Sequence, residues 1–294
     1  MSGSGTQGQS RGFPRKTGRP GPRAQMLTQT LSRTGHSLLF PDPLSEWACK
    51  FFAAGVNLFP ALVGGIWTLV VYSSVSRFRT QRGRRLRRLI AQLAEDLGRD
   101  ITILDLGGRP GYWRNVGLEN IARIELLNIE AAELGRELDG LPPDLFVSRI
   151  GNACSLVDYP SGSVDLVHSN SVIEHVGSWG SMRAKAEEMM RVGRAGWMQT
   201  PAWGFPLEPH FRTLFMHWFG RPLQSRLMGL SFDARVRRSS LDIRRRRIDS
   251  VNLLGRREVR ALFPDRALYV ERLMLWPKSY VIHWPALDGG VPAP

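Results

Sequence analysis

From Leu86 onward the chain alternates between two periodicities. Leu86, Leu89, Ile90, Leu93 and Leu97 recur three and four residues apart, the spacing of one apolar helix face, and Gly98 is placed to cap that helix. Strand-like blocks follow at Ile101–Leu106, Ile121–Ile129, Leu145–Ile150 and Val164–His168, the last entered through the turn YPSGS. Ser178 is positioned to cap a helix running through Met190, with Gly193 at its end, and Gly196–Thr200 reads as a fifth strand. A helix near Arg256–Phe263 precedes two β-rich runs, Ala267–Trp276 and Lys278–Trp284. Their short junction at Pro277-Lys278 predicts an antiparallel pair at a sheet edge. Strands alternating with helices predict an α/β fold with a doubly wound, mostly parallel sheet, and residues 202–250 form an insertion after the fifth strand.

Upstream the pattern changes twice. Residues 1–45 are rich in Gly, Ser, Pro and Arg, with no acid before Asp42 and no apolar period, and are expected to be a disordered basic tail. Met26 offers an alternative start within it. Residues 46–76 hold an apolar helical segment, of which 51–75 carry no charge over 25 positions, long enough to span a bilayer. Seven arginines lie between Arg77 and Arg88, which by the positive-inside tendency would put the C-terminal side in the cytoplasm. Asn57, Pro60, Gly64-Gly65 and Ser73-Ser74 favour a broken segment that caps the domain or lies in a membrane interface. The folded domain is therefore expected over 77–286, with a disordered end at 287–294.

Composition narrows the partners. The formal charge is +14, nearly all from arginine, which suits an anionic partner such as an acidic membrane surface or follows simply from codon usage. The two cysteines, Cys49 and Cys154, stand far apart, so neither a disulfide framework nor a zinc motif is legible, and a reducing compartment is the default.

The chemistry concentrates in ILDLGGRPGYW, residues 103–113, a buried-type strand that ends in Asp105 and opens into Gly107, Gly108 and Gly111. Glycines at a first strand-to-helix turn let backbone approach a ligand closely. A dinucleotide fits poorly, because Arg109 interrupts the G-x-G-x-x-G spacing and an acid would stand beside the pyrophosphate. A ligand with a cationic amine and a sulfonium suits Asp105 better, and S-adenosylmethionine is such a ligand.

At this point the sequence resembles the class I S-adenosylmethionine-dependent methyltransferases, in particular the bacterial small-molecule-type group. The resemblance runs from about Arg77 to Trp284 through LDLGGRPGYW, LLNIE, GNACSLVDYPSGSVDLVHSNSVIEHV and MQTPAWGFPLEPHFRTLFMHW. It implies a Rossmann-like seven-stranded sheet with an antiparallel edge hairpin and a helical N-terminal extension. It also implies that Asp105, Gly107, Gly108 and Gly111 wrap the cofactor's methionine and ribose. The acid that usually takes the ribose hydroxyls falls at Asn128 or Glu130, of which a carboxylate is the better acceptor. Asn152 stands where the family's GDA motif reads the adenine amino group, Ala153 offers a backbone N–H, and Ser169 and Asn170 line the exit from the fourth strand.

On the acceptor side two histidines reach the same sheet edge. His175 follows Glu174 in VIEHV, and His210 lies two residues from Glu208 in LEPHF; either histidine is suited to serve as a base, with Glu208 beside His210. VIEHV also echoes a quinone-pathway O-methyltransferase pattern in which an acid three residues earlier helps hold a divalent metal. Here that position is Ser171, so no metal is expected. The insertion holds Trp203, Phe205, Phe211, Phe215, Trp218, Phe219 and Phe232, followed by Arg235, Arg237, Arg238 and Arg244–Arg247. It reads either as an apolar lid over a small or lipid-like acceptor or as ordinary core under a basic face. Nucleic-acid methylation is disfavoured, because the strand-four exit reads HSNSVIEH rather than Asp/Asn-Pro-Pro-aromatic. The expectation is thus methyl transfer to O, N or C of a small or lipid-like acceptor. The alternatives are an RNA or DNA methyltransferase, or a catalytically silent, membrane-attached cofactor-binding module.

Overall fold

The helical face predicted from Leu86 onward packs as predicted. In the computed structural model, which describes residues 77–130, 138, 140–231 and 233–285, helix α1 covers 77–97. Leu86, Leu89, Ile90 and Leu93 are buried against a sheet face carrying Ile101, Ile103, Ile124, Leu126, Leu166 and Trp197. Each such side chain contributes about 1.5–3 kcal/mol by leaving water. Gly98 ends the helix at φ 63° and its N–H reaches the Glu95 carbonyl, a left-handed cap that favours glycine.

The sheet has seven strands in the order β3-β2-β1-β4-β5-β9-β8. They are β1 (Ile101–Leu106), β2 (Ile121–Asn128), β3 (Phe146–Ile150), β4 (Val164–Asn170), β5 (Gly193–Pro201), β8 (Ala267–Leu273) and β9 (Trp276–Trp284). β1 to β5 run parallel, whereas β9 pairs antiparallel with both β5 and β8. β1 is covered on both faces: Ile101 and Ile103 meet α1, while Leu104 and Leu106 meet the core under α3 (Trp179–Val192) and α7 (Arg256–Leu262). That is why the strand reads as a continuous apolar run. The strand order reverses between β1 and β4, and an α/β sheet binds ligands at the carboxyl ends of strands beside such a point. At the opposite end of the sheet, Asp165 accepts both guanidinium nitrogens of Arg99 at 2.9 Å and the N–H and hydroxyl of Thr102, fastening β4 to the α1–β1 turn.

Several boundaries differ from the sequence expectation. β4 runs on to Asn170 and β5 begins at Gly193. Gly193 is extended, at φ −88°, rather than a left-handed cap; a Cβ there would lie 2.6 Å from the Ala195 carbonyl oxygen and 2.8 Å from Val167 Cγ2, so close packing favours glycine. The β8–β9 turn falls at Met274-Leu275, with Met274 at φ 54°, and Pro277-Lys278 already belongs to β9. The insertion forms a hairpin, β6 (Leu207–Glu208) and β7 (Thr213–Leu214), then α4 (Arg221–Leu227), α5 (Ala234–Arg237) and α6 (Leu241–Asp249). Phe211, Met216, Met228, Val236 and Ile248 give it a small core of its own, while Trp203, Phe215 and Phe219 stay exposed. The apolar segment 51–75, the basic tail, Phe232 and residues 287–294 lie outside the described residues, among which no helix is long and apolar enough to cross a membrane.

Candidate active site

Asp105, the penultimate residue of β1, stands in direct register with His168 on β4, and both are fully buried. Its Oδ1 lies 2.6 Å from His168 Nδ1, and its Oδ2 accepts the indole N–H of Trp113 at 2.9 Å. The carboxylate therefore holds two neighbours in place as well as lining a cavity. The carboxylate fixes the imidazole with its proton on Nδ1, leaving Nε2 buried and without a partner on a residue that lines the cavity. His168 was not singled out from sequence, because only the β1–β4 register brings position 168 against position 105.

The glycines divide by what surrounds them. A Cβ on Gly108 would lie 1.8 Å from Asp105 Oδ2, so side-chain-free backbone is what lets the carboxylate sit there. Gly107 is left-handed at φ 79° and presses on Val172. Gly111 is the second residue of α2 (Pro110–Val116), lines the cavity, and a Cβ there would meet no atom within 4 Å. That cavity, about 390 Å³, is lined by Asp105, the glycine loop, Tyr112, His168 and Asn170, and closed from α1 by Arg79 and Arg82. Arg82 is nearly buried and donates to Asn170 Oδ1 at 2.9 Å and to Glu271 Oε1 at 3.1 Å. No local motif marks this arginine, because its reach depends on how α1 crosses the sheet.

The other expected cofactor contacts are placed differently. Asn128 spends its amide on the Gly108 carbonyl at 3.2 Å and so braces the loop. Glu130 is exposed and outside the cavity lining. Asn152 accepts the Cys154 N–H in a local turn, also outside that lining, and Ala153 packs half-buried against the core under α3. Ser169 is buried on the far face of β4, donating to the Leu106 carbonyl and accepting from Lys185 Nζ at 3.0 Å. Lys185 is completely buried, and burial lowers its ammonium to about 8.

Beyond Asn170 the chain turns through Ser171 and Val172 into a 3-10 turn, Ile173–His175. Here the predicted acceptor-side residues meet. His210, on the β6–β7 turn, has Nδ1 2.7 Å from Glu208 Oε1 and Nε2 4.0 Å from Glu174 Oε1. Its ring stands edge-on to His175 at 4.8 Å. Glu174 is fully buried; its Oε2 accepts the Thr200 hydroxyl at 3.0 Å and its Oε1 has no partner. Burial pushes the Glu174 carboxyl up. Burial works against the His210 imidazolium, but the Glu208 hydrogen bond and the charges of Glu208 and Glu174 outweigh it and raise the ring above its ordinary range. Glu208 also borders a second cavity of about 560 Å³, walled by Trp179, Trp203, Phe211 and Met216 with the polar groups of His217 and Arg221.

Residues 78–224, half of the chain, match the family described as methyltransferase domain. No curated protein matches the chain. Among solved structures, a chain provisionally assigned as a zinc-dependent alcohol dehydrogenase from Rhodobacter sphaeroides is 14 % identical, with 66 % of this chain and 86 % of that one covered and a TM-score of 0.43. The bifunctional kinase-methyltransferase WbdD is 15 % identical, with 69 % and 39 % covered and a TM-score of 0.43. A provisionally assigned O-methyltransferase from Nostoc punctiforme PCC 73102 is 14 % identical, with 68 % and 56 % covered and a TM-score of 0.39. The chain thus spans well under two thirds of the last two, and at these TM-scores none of the three bears on its chemistry. On the strength of the match over half its length, this chain belongs to the methyltransferase domain family.

Proposed function

We propose that the protein transfers a methyl group from S-adenosylmethionine to a small or lipid-like acceptor. The observation that carries this reading is the cavity at the β1–β4 switch point, where the glycine loop leaves open space at Gly111 and a buried nitrogen of His168 lacks a partner. These residues fit such a cofactor. Arg79 and Arg82 suit a carboxylate, while Asn170 and the remaining lone pairs of Asp105 suit an ammonium. The volume, about 390 Å³, is within the range of small-molecule sites. When bound, the cofactor supplies an activated methyl group on a sulfonium leaving group.

The chain's own work is then positioning and exclusion of water. Val172, packed on Gly107, leads from the cofactor cavity to Glu174 and His210, and Glu208 leads from His210 to the second cavity. That order suits an acceptor seated among Trp179, Trp203 and Phe211 with its nucleophile near His210, the ring oriented by Glu208. An acidic membrane surface, approached through the basic residues before and after residue 77, is the partner that suits a lipid-like acceptor. Titration calorimetry with S-adenosylmethionine and its demethylated product tests the cofactor. Saturable heat is the expected outcome. Folded protein that gives no heat with either, or that takes up a nicotinamide dinucleotide instead, overturns the proposal.

A further inference from the structure

We propose that Glu174, His175 and His210 together hold a divalent transition-metal ion, a site that the local sequence around 171–175 argues against. Their ligating atoms lie within 4.8 Å of one another. More telling than proximity is what occupies the other atom of each side chain. His210 gives Nδ1 to Glu208 at 2.7 Å, and a carboxylate can only accept there, so Nδ1 carries the proton and Nε2 presents its lone pair. His175 gives Nδ1 to the Ser250 carbonyl at 3.1 Å, which fixes the same tautomer and again frees Nε2. Glu174 spends Oε2 on Thr200 and leaves Oε1 fully buried, without a partner, 4.0 Å from His210 Nε2. Three side chains on two separate elements thus each keep one lone pair for a common point.

This is the outer arrangement that metal-bound histidines show, with the second ring nitrogen on a carboxylate or a backbone carbonyl. Nitrogen and oxygen bonds to such ions are about 2.0–2.2 Å, so a small rotation of the exposed His175 closes the set. Two imidazoles and one carboxylate favour zinc, cobalt, iron or manganese over calcium or magnesium, and leave at least one position for water or an oxygen of the acceptor. The third donor comes from the β6–β7 turn, 35 residues beyond His175 in the chain, which is why no motif reveals it. The site does not depend on the cofactor reading, since none of its atoms belongs to that cavity lining.

The test uses the full chain, freed of metal with a chelator and titrated with Co²⁺ while its visible absorption is recorded, then with Zn²⁺ by calorimetry. One equivalent should bind with ligand-field bands. His175→Ala and His210→Ala should each weaken Zn²⁺ binding at least about 100-fold, and Glu208→Gln by about 10–100-fold through the tautomer it fixes. His217→Ala, outside the cluster, should leave it unchanged. His175 is exposed, so its variant keeps the fold; a Zn²⁺-dependent rise in melting temperature that the wild type shows and His175→Ala lacks is a second reading. Absence of one-equivalent binding, or binding that survives both histidine substitutions, overturns the site.

Discussion

Gly108 and Gly111 sit three residues apart, one in the loop after β1 and the other in the first turn of α2, and the structure predicts opposite consequences for adding a methyl group to each. At Gly108 the new Cβ would lie 1.8, 2.0 and 2.5 Å from Asp105 Oδ2, Cγ and Oδ1. The carboxylate has to move, which breaks the His168 bond of 2.6 Å and the Trp113 bond of 2.9 Å. Both partners are fully buried. Each lost bond to a charged group is worth about 1.5–3 kcal/mol, so Gly108→Ala should cost about 3–6 kcal/mol. At Gly111 the Cβ meets nothing, and the residue is helical. Gly111→Ala should therefore add about 0.5–1 kcal/mol by restricting the unfolded chain. It also points a methyl group into the cavity, so cofactor affinity should fall while stability rises. Urea titrations give the first quantity and calorimetry with S-adenosylmethionine the second. A Gly111→Ala protein that is more stable and binds as tightly as wild type would refute the placement of the cofactor. A Gly108→Ala protein of unchanged stability would refute the Asp105 network.

Three further outcomes are expected. Lys185→Met removes an ammonium that burial holds at about 8 against an ordinary 10.5. The gross relief is about 3 kcal/mol at neutral pH, less about 1 kcal/mol for the bond to Ser169. Because the folded pKa lies below the unfolded one, the cost is full below pH 8 and fades as pH rises toward 10.5. Urea midpoints at pH 7 and 9.5 should show a gain near 2 kcal/mol that shrinks, and a loss at pH 7 would contradict it. Asp165→Asn should cost about 2 kcal/mol at pH 7. Arg99 and Thr102 hold the Asp165 carboxyl below its ordinary range against the effect of burial, so its contribution is present above about pH 4 and lost as pH falls further, and acid melting curves of the two proteins should converge there. Arg82→Gln strands the buried Glu271 carboxylate and should cost about 3–5 kcal/mol by chemical denaturation, with Glu271→Gln in the same chain recovering much of it.

The framework was legible because it depends on local period. Leu86 through Leu97 state a helix, and the double-sided burial of β1 leaves an unbroken apolar run; even the edge hairpin was visible, with its turn misplaced by three residues because Met274 takes a left-handed conformation that nothing in its side chain advertises. The loop glycines were legible for the same reason. What escaped was everything set by register or crossing. Asp105 was read as an acid facing a ligand, whereas pairing with β4 also gives it to His168 and the first turns of α2 bring Trp113 to its other oxygen. Arg82 reaches Asn170 only because α1 crosses that end of the sheet. Asn152 matches a motif by spacing, yet its side chain closes its own turn.

Trp284 lies across Gly196 so closely that a Cβ there would fall 2.0 Å from the indole, and β9 fills the gap between β5 and β8. The strand that completes the sheet thus leaves the ribosome after every other strand of that sheet. Until residue 284 emerges, β5 presents an unpaired edge, and the stretch recognisable by family resemblance, 78–224, lacks the partner that would cover it. Synthesis therefore carries this open edge from the completion of β5 at Pro201 to that of β9 at Trp284, about eighty residues, and whatever shields it in the meantime bears on yield alongside mature stability.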